Sequence, residues 1–368
     1  MQEDFHYYAT YCAAYLAGFS HEESLDICYC AQLVDLCSRT FLTRLKAPLN
    51  AATTQLNLEM MDARTDIIGL QDITRIWASF HFLPADLYAR KKWRPRIYMN
   101  KYRLICGPNG DLLEKTVRLA KGKNIQHFGL AMHVLADTWA HSGFAGTPSL
   151  VINNTDRDFF EYVEKDGEEI KRRVKFRHST STPDDIEKGI YTNSLSQANE
   201  HSIMNLGHGR AGHFPDYSFA HYEYVPAWDD YKIREKNNPK DYEKAFCQMV
   251  YALKYLRGEY DAFEKDTYDT NVMEKHGERI RAIIRKRQIN ASEDWKQFGE
   301  ELSGKTVEDF EIDKHFDEYD LVPDGMKDDT FLGKFFNAAL SQKGMVSEEI
   351  FKSGNLLAGI SVSILGDK

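Results

Sequence analysis

The chain has 368 residues, a net charge of -9, 42% apolar residues and 12% aromatics. This length allows one large domain or two ordinary ones with a sizeable core, and the acidic balance argues against a nucleic-acid binder held by bulk charge. No run of about 18 apolar residues is present, so no membrane span is expected, and the acidic opening MQEDFHYYATYC lacks the basic region of a secretory signal.

On that reading the protein is expected in the cytoplasm. Cys12, Cys28, Cys30, Cys37, Cys106 and Cys247 fall mostly in apolar helical patterns. Cys28-Tyr29-Cys30 is not a zinc-knuckle spacing, so the cysteines read as reduced core residues.

Residues 5–17 read as a helix closed by Gly18. Ser20 and Glu23 form a capping box for a second helix, which Pro48 ends. Residues 66–82 read as helix, whereas the basic, aromatic segment 89–103 reads as extended. PNGD at 108–111 is a turn. A strongly apolar helix follows over 111–142, with a break expected at Gly122. Residues 147–200 are polar and charged, an insertion carrying a short hairpin, and GHGRAGHFPDYSF after it reads as a surface loop. Helical patterns return at 240–260, 270–288, 292–303, 329–342 and 346–364. The expected fold is mainly α, with a metal-binding core over 1–225 and a C-terminal helical region over 226–368.

The stretch HVLADTWAH carries His133, Asp137 and His141 at four-residue intervals. At about 100° per residue these three share one helix face. An imidazole and a carboxylate one turn apart can hold one divalent cation. His127 points about 120° away from His133 and is left out. One helix cannot complete such a site. Other ligands are sought among polar residues in apolar context: Asp4 and His6 in EDFHYYATY, Asp35 in CAQLVD, and His81 in WASFHFLP. His208, His213 and Asp216 crowd into GHGRAGHFPD, where glycines let the backbone bend.

In this order the residues resemble the zinc-dependent phospholipase C superfamily, which includes single-strand-specific fungal nucleases. The opening MQEDFHYYATYCAAYLAGFSHEES, FHFLP and GHGRAGHFPDYS resemble more closely an uncharacterised bacterial family associated with it. The superfamily pattern runs N-terminal residue, His, Asp, His-Phe, His-x3-Asp, His, His-x3-Glu. His6, Asp35, His81-Phe82, His133 with Asp137, and His141 match it in turn. Asp62, Asp66 and Asp72 are alternative matches for the isolated aspartate. The resemblance covers about residues 1–220.

It implies a multi-helix bundle of the phospholipase C or nuclease kind, two or three zinc ions, and phosphoester hydrolysis. Asp137 would bridge two ions, and Asp35 would orient or deprotonate the attacking water. Secreted members use a processed N-terminal amine as ligand. Gln2 disfavours removal of Met1, so Asp4 is expected to replace that amine. No His-x3-Glu is present; His213 has Tyr217 at that spacing and Asp216 one place earlier.

Arg90, Lys92 and Trp93 are candidates for holding a phosphate backbone or stacking a base. The substrate class is a phosphate-containing small molecule or a nucleic acid. A phosphohydrolase of the HD type is disfavoured because no adjacent His-Asp pair occurs. A non-catalytic, metal-stabilised binding or regulatory protein is the other reading. The apolar C-terminal helix SEEIFKSGNLLAGISVSILG suits a homo-oligomer contact or the chain's own core.

Overall fold

A computed structural model gives the structure and describes residues 1–155, 158–165, 167–177, 182–193 and 205–359. The chain opens with a short π-helix, Asp4–Ala9, that continues as α1, Thr10–Leu16. The expected first helix is therefore present, but its first turns are wider than α. Ser20 starts α2, His21–Leu36, through a complete capping box. The Ser20 hydroxyl accepts from the Glu23 N–H at 3.2 Å, and the Glu23 carboxylate accepts from the Ser20 N–H at 2.8 Å. Two short helices follow, α3 at Arg39–Arg44 and α4 at Asn57–Ala63. The Asp66 carboxylate caps α5, Ile67–Phe80, by accepting from the Gly69 N–H.

The basic segment expected to be extended contains a helix, α6, Arg96–Tyr102. It starts directly after Pro95, whose fixed φ suits a helix entry. The long apolar helix is split as expected. α7 covers Asp111–Ala120 and α8 covers Ile125–Ala140. Gly122 takes a positive φ between them, and Asn124 caps α8. α8 is buried almost end to end, with α2, α5 and α7 packed around it.

After the single turn α9, Leu150–Asn153, the insertion forms β1, Phe160–Lys165, and β2, Glu168–Arg173, an antiparallel hairpin in which Phe160 faces Arg173. β3, Lys175–Arg177, pairs in parallel with β4, Ile190–Thr192. β5, His221–Tyr224, and β6, Arg234–Asn237, extend the hairpin to a four-stranded sheet in the order β2-β1-β5-β6. The small sheet thus draws strands from both sides of the glycine-rich segment. That segment is not a surface loop. Ala211, Phe214, Asp216 and Tyr217 are buried, because Phe214 and Tyr217 pack with Phe159, Tyr191 and Tyr222 in a second aromatic core.

The C-terminal region contributes α10, Asn238–Arg257, α11, Asn271–Arg285, α12, Ser292–Ser303, α13, Phe316–Leu321, and α14, Phe331–Lys352. The two helices expected over 329–342 and 346–364 are one through Gly344, and α14 ends at Lys352. Residues 360–368 of that expectation lie outside the described residues. Val346 and Ile350 bury their apolar faces in the chain's own core, which runs from Met1 to Ala358. α10 and α14 both pack on α8. No helix among the described residues is long and apolar enough to cross a membrane.

One ion-pair cluster ties the sheet to the helices. The Glu161 carboxylate is 1% exposed and accepts from Arg172 at 2.6 Å, Arg287 at 2.8 Å and the Tyr191 hydroxyl at 2.9 Å. Removing one partner of such a cluster leaves partly buried charge uncompensated. Glu161→Ala is expected to lower stability by about 3–5 kcal/mol. Denaturant titration of the full chain measures this, and an unchanged midpoint would assign the cluster to the surface.

Candidate metal centre

The centre begins with a close approach of α2 and α8. A Cβ on Gly129 would lie 2.2 Å from the Ile27 carbonyl oxygen and 2.6 Å from the Cys30 Cβ. Only glycine lets the two backbones come this near. One turn further along α8, His133 then meets α2 directly, and its Nδ1 donates to the Ala31 carbonyl at 2.9 Å. With Nδ1 protonated, Nε2 carries a lone pair. Nε2 lies 3.2 Å from Asp137 Oδ2 and 3.3 Å from His81 Nδ1.

The same device recurs. His81, the C-cap of α5, donates from Nε2 to the Thr53 carbonyl at 3.0 Å and turns Nδ1 to Asp137 Oδ2 at 3.3 Å. His141, the C-cap of α8, donates from Nδ1 to the His81 carbonyl at 2.6 Å and turns Nε2 to Asp216 Oδ1 at 3.0 Å. His208 donates from Nδ1 to the Gly212 carbonyl at 2.6 Å, with Nε2 at 3.5 Å from Asp216 Oδ1. Gly212 has a positive φ of 57°, and a Cβ there would strike the Thr192 carbonyl at 2.0 Å. Four imidazoles are therefore each locked by a backbone carbonyl, with the free nitrogen turned to a buried carboxylate. Metal-binding histidines are oriented in this way.

His6 is held differently. It lies within the π-helix, fully buried and stacked on His133 with ring centres 3.8 Å apart. Neither of its nitrogens has a hydrogen-bond partner, although Nε2 is 3.1 Å from Asp137 Oδ1. An orphaned buried imidazole is costly, and a cation between it and Asp137 would relieve that cost. Burial and the neighbouring His133 push His6 down to about 4, so the ring is neutral near pH 7. Burial likewise pushes His208 down to about 4.

Asp137 is the hub. Burial opposes its charge, but His141, the Met1 amine, His133 and His6 outweigh this and hold the carboxyl well below the usual range. Asp216 is held down in the same way, against burial, by His208 and the amine. Three groups have ligand atoms within 4.8 Å of one another: His6, His133 and Asp137; Asp35, His81 and His133; and His141, His208 and Asp216. Asp35 is the most open of these carboxylates, 29% exposed, with Oδ1 3.6 Å from His81 Nδ1.

The Met1 amine was not anticipated as part of the centre. It donates to Asp137 Oδ1 at 2.7 Å and lies 3.3 Å from Asp216 Oδ1 and 3.2 Å from His141 Nε2. Burial works against its charge, but Asp137, Asp216 and Asp35 raise it to about 11. Asp4, expected to stand in for an amine, does not. Its carboxylate accepts from the Ala291 N–H at 3.0 Å, a partner 287 residues away that no local pattern announces. His213 also differs from expectation. Its side chain is largely exposed, and its Nδ1 approaches Asp216 Oδ2 at 3.5 Å, outside the three groups.

His127 lies apart, with Nδ1 on its own N-cap residue Asn124. Arg90, Lys92 and Trp93 are exposed, Trp93 at 98%. Their neighbours Lys91 and Arg94 pair with Asp230.

Two further residues reach the centre from the C-terminal region. The Asn238 side chain donates to the carbonyls of Pro215 and Tyr217, and the Tyr242 hydroxyl donates to the Asp216 carbonyl at 2.7 Å. Both hold the turn that presents Asp216. Asn237, whose side chain accepts from the Lys240 N–H, was the only cue, and it marks a helix start rather than a site.

The pattern of a family of unknown function (DUF6765) matches residues 1–350. The chain belongs to that family. The match covers the whole centre and the helices that support it. No curated protein and no solved structure matches the chain.

The close approach at Gly129 gives a direct test. Gly129→Ala must push α2 from α8 and lift the Ala31 carbonyl off His133. Lower bound metal is expected, with a stability loss of about 1–3 kcal/mol typical of overpacking. His133→Ala should lose metal as well, whereas His127→Ala should keep it. Elemental mass spectrometry on the purified variants reads all three. Equal metal content in the His133 and His127 variants would remove the helix face from the site.

Proposed function

We propose that this centre holds two or three zinc ions and hydrolyses a phosphoester or phosphodiester bond. One observation carries the reading: four carbonyl-locked imidazoles and the orphaned His6 converge on Asp137 and Asp216. Neutral imidazole with carboxylate is a donor set suited to zinc. The residues therefore fit the metal that the phospholipase C-like order of histidines and aspartates implies. The mainly α fold with a small sheet is compatible with that superfamily, and kinship with it is part of the proposal.

His6, Asp35, His81, His133 and Asp137 would form one part of the metal site, and His141, His208 and Asp216 the other. Asp137 would be shared between them. The Met1 amine, once deprotonated, would be a further nitrogen ligand. Bound zinc would supply a water of lowered pKa and neutralise phosphate charge. Asp35, the carboxylate most open to solvent, would orient that water and take its proton. The near-complete burial of the other carboxylates excludes bulk water and strengthens their hold on positive charge. Arg90, Lys92 and Trp93 are available on the surface to a phosphate or a stacked base. The substrate would then be a phosphate-containing small molecule or a nucleic acid.

The same burial favours one other reading, a metal-stabilised binding protein without catalysis. Elemental analysis with a chromogenic phosphodiester, bis(p-nitrophenyl) phosphate, separates the two. Two or three zinc ions per chain and turnover are expected. Asp35→Asn should keep most of the metal and lose about 10²–10⁴-fold in rate, the range for a general base. A zinc-replete chain inert to phosphomonoesters, phosphodiesters and single-stranded nucleic acid would leave the non-catalytic reading. A chain that takes up no zinc, manganese or iron would sink both.

The amine adds a separate test. A chain extended by two residues before Met1 should bind less zinc than the unextended chain, because the amine leaves its place between Asp137 and Asp216. Equal metal content in the two would remove Met1 from the ligand set.

A further inference from the structure

A cavity of about 1020 Å³ opens between α5 and α14, and no residue of the three metal-binding groups lines it. One face of α14 forms a wall, with Leu340, Lys343, Gly344 and Ser347 at helical spacing. Lys343 is 7% exposed, and although the Asp72 carboxylate acts on it, the two make no close ion pair. Its ammonium donates to the carbonyls of Asn50 and Ala52. One turn further, the Ser347 hydroxyl is buried with no hydrogen-bond partner. A buried lysine with no carboxylate in ion-pair contact, beside an unpaired hydroxyl, is an expensive arrangement for a wall that only packs.

Gly344 gives a second, independent indication. Glycine inside a helix is disfavoured relative to alanine unless the backbone needs it or a neighbour crowds it. Gly333 in the same helix is crowded, because a Cβ there would lie 1.8 Å from the Lys327 carbonyl. A Cβ on Gly344 would meet nothing within 4 Å. Its missing side chain keeps the cavity open next to Lys343 and Ser347. Arg39 and Arg75 supply two more cations to the lining, both paired with Asp72. Asp62 and Asp66 also line it but are exposed, and Asp66 is occupied in capping α5.

We infer that this cavity is a second ligand site, which binds a small organic molecule through a phosphate-type oxyanion held by Lys343 and Ser347. Arg39 and Arg75 provide further donors, and the apolar parts of the lining take the organic portion. Burial lowers the Lys343 pKa to about 8, against the pull of Asp72. The assignment is independent of the chemistry of the metal centre.

The probe is phenylphosphonate, an oxyanion on an apolar ring with no ester bond to hydrolyse. Calorimetric titration into the metal-loaded full chain at fixed ionic strength should reveal a binding event of this cavity. Gly344→Ala should keep it and raise the ligand-free melting temperature. Gly344→Met, which fills the cavity, and Lys343→Met, which removes the charge, should each weaken that event at least tenfold. Any binding at the metal centre should persist in all four proteins. Identical titrations of wild type, Gly344→Met and Lys343→Met would overturn the assignment, as would the absence of binding to the wild type.

Discussion

An ionised carboxylate in the last turn of a buried apolar helix has to be compensated, and the surroundings of Asp137 are built around that need. Asp137 is 1% exposed, and the chain brings it the Met1 amine and four imidazoles, those of His6, His81, His133 and His141. These groups come from three places in the sequence: the N-terminus, the end of α5 and α8. α8 can be apolar almost throughout because its one acidic residue is matched in this way. The packing of α2, α5, α10 and α14 on α8 is therefore packing around a charge as much as around a hydrophobic helix.

Orientation of the imidazoles is a backbone matter. The carbonyls of Ala31, Thr53, His81 and Gly212 each take one ring N–H. These carbonyls sit at a helix interior, a loop, a helix end and a glycine turn. No side chain marks them, so a mutation at the carbonyl-bearing residue would leave the lock in place. The glycines are the exception. Gly129 and Gly212 act through the Cβ they lack, and they are where the geometry is exposed to a single substitution.

Much of the centre was legible from spacing and context. His133, Asp137 and His141 announced themselves by a shared helix face. His6, Asp35 and His81 stood out as polar residues in apolar runs. The Met1 amine carries no side-chain pattern and could not be read in this way. The glycine-rich segment carried two residues of the centre, His208 and Asp216, but its polarity hid its burial. Phe159, just before β1, and aromatic residues of β4 and β5 cover it, and those contacts are distant in sequence. His213 and His208 look alike in the sequence, and only the turn at Gly212 decides which one faces inward. The secondary structure differs at two places. Separate helices are expected over 329–342 and 346–364 and extended chain over 89–103, whereas α14 runs on through Gly344 and α6 starts after Pro95.

The turn that presents Asp216 is held by Asn238 and Tyr242 of α10. Most of the residues gathered at the centre precede that helix in the chain, so the order of synthesis matters. A nascent chain would expose residues 1–216 with their histidines and aspartates before the residues that fix the last carboxylate have left the ribosome. The centre would then close late, after most of the apolar surface around α8 is already waiting for partners. On the proposed function, loading of a cation would be a finishing step in the biogenesis of this protein rather than a nucleus for its folding.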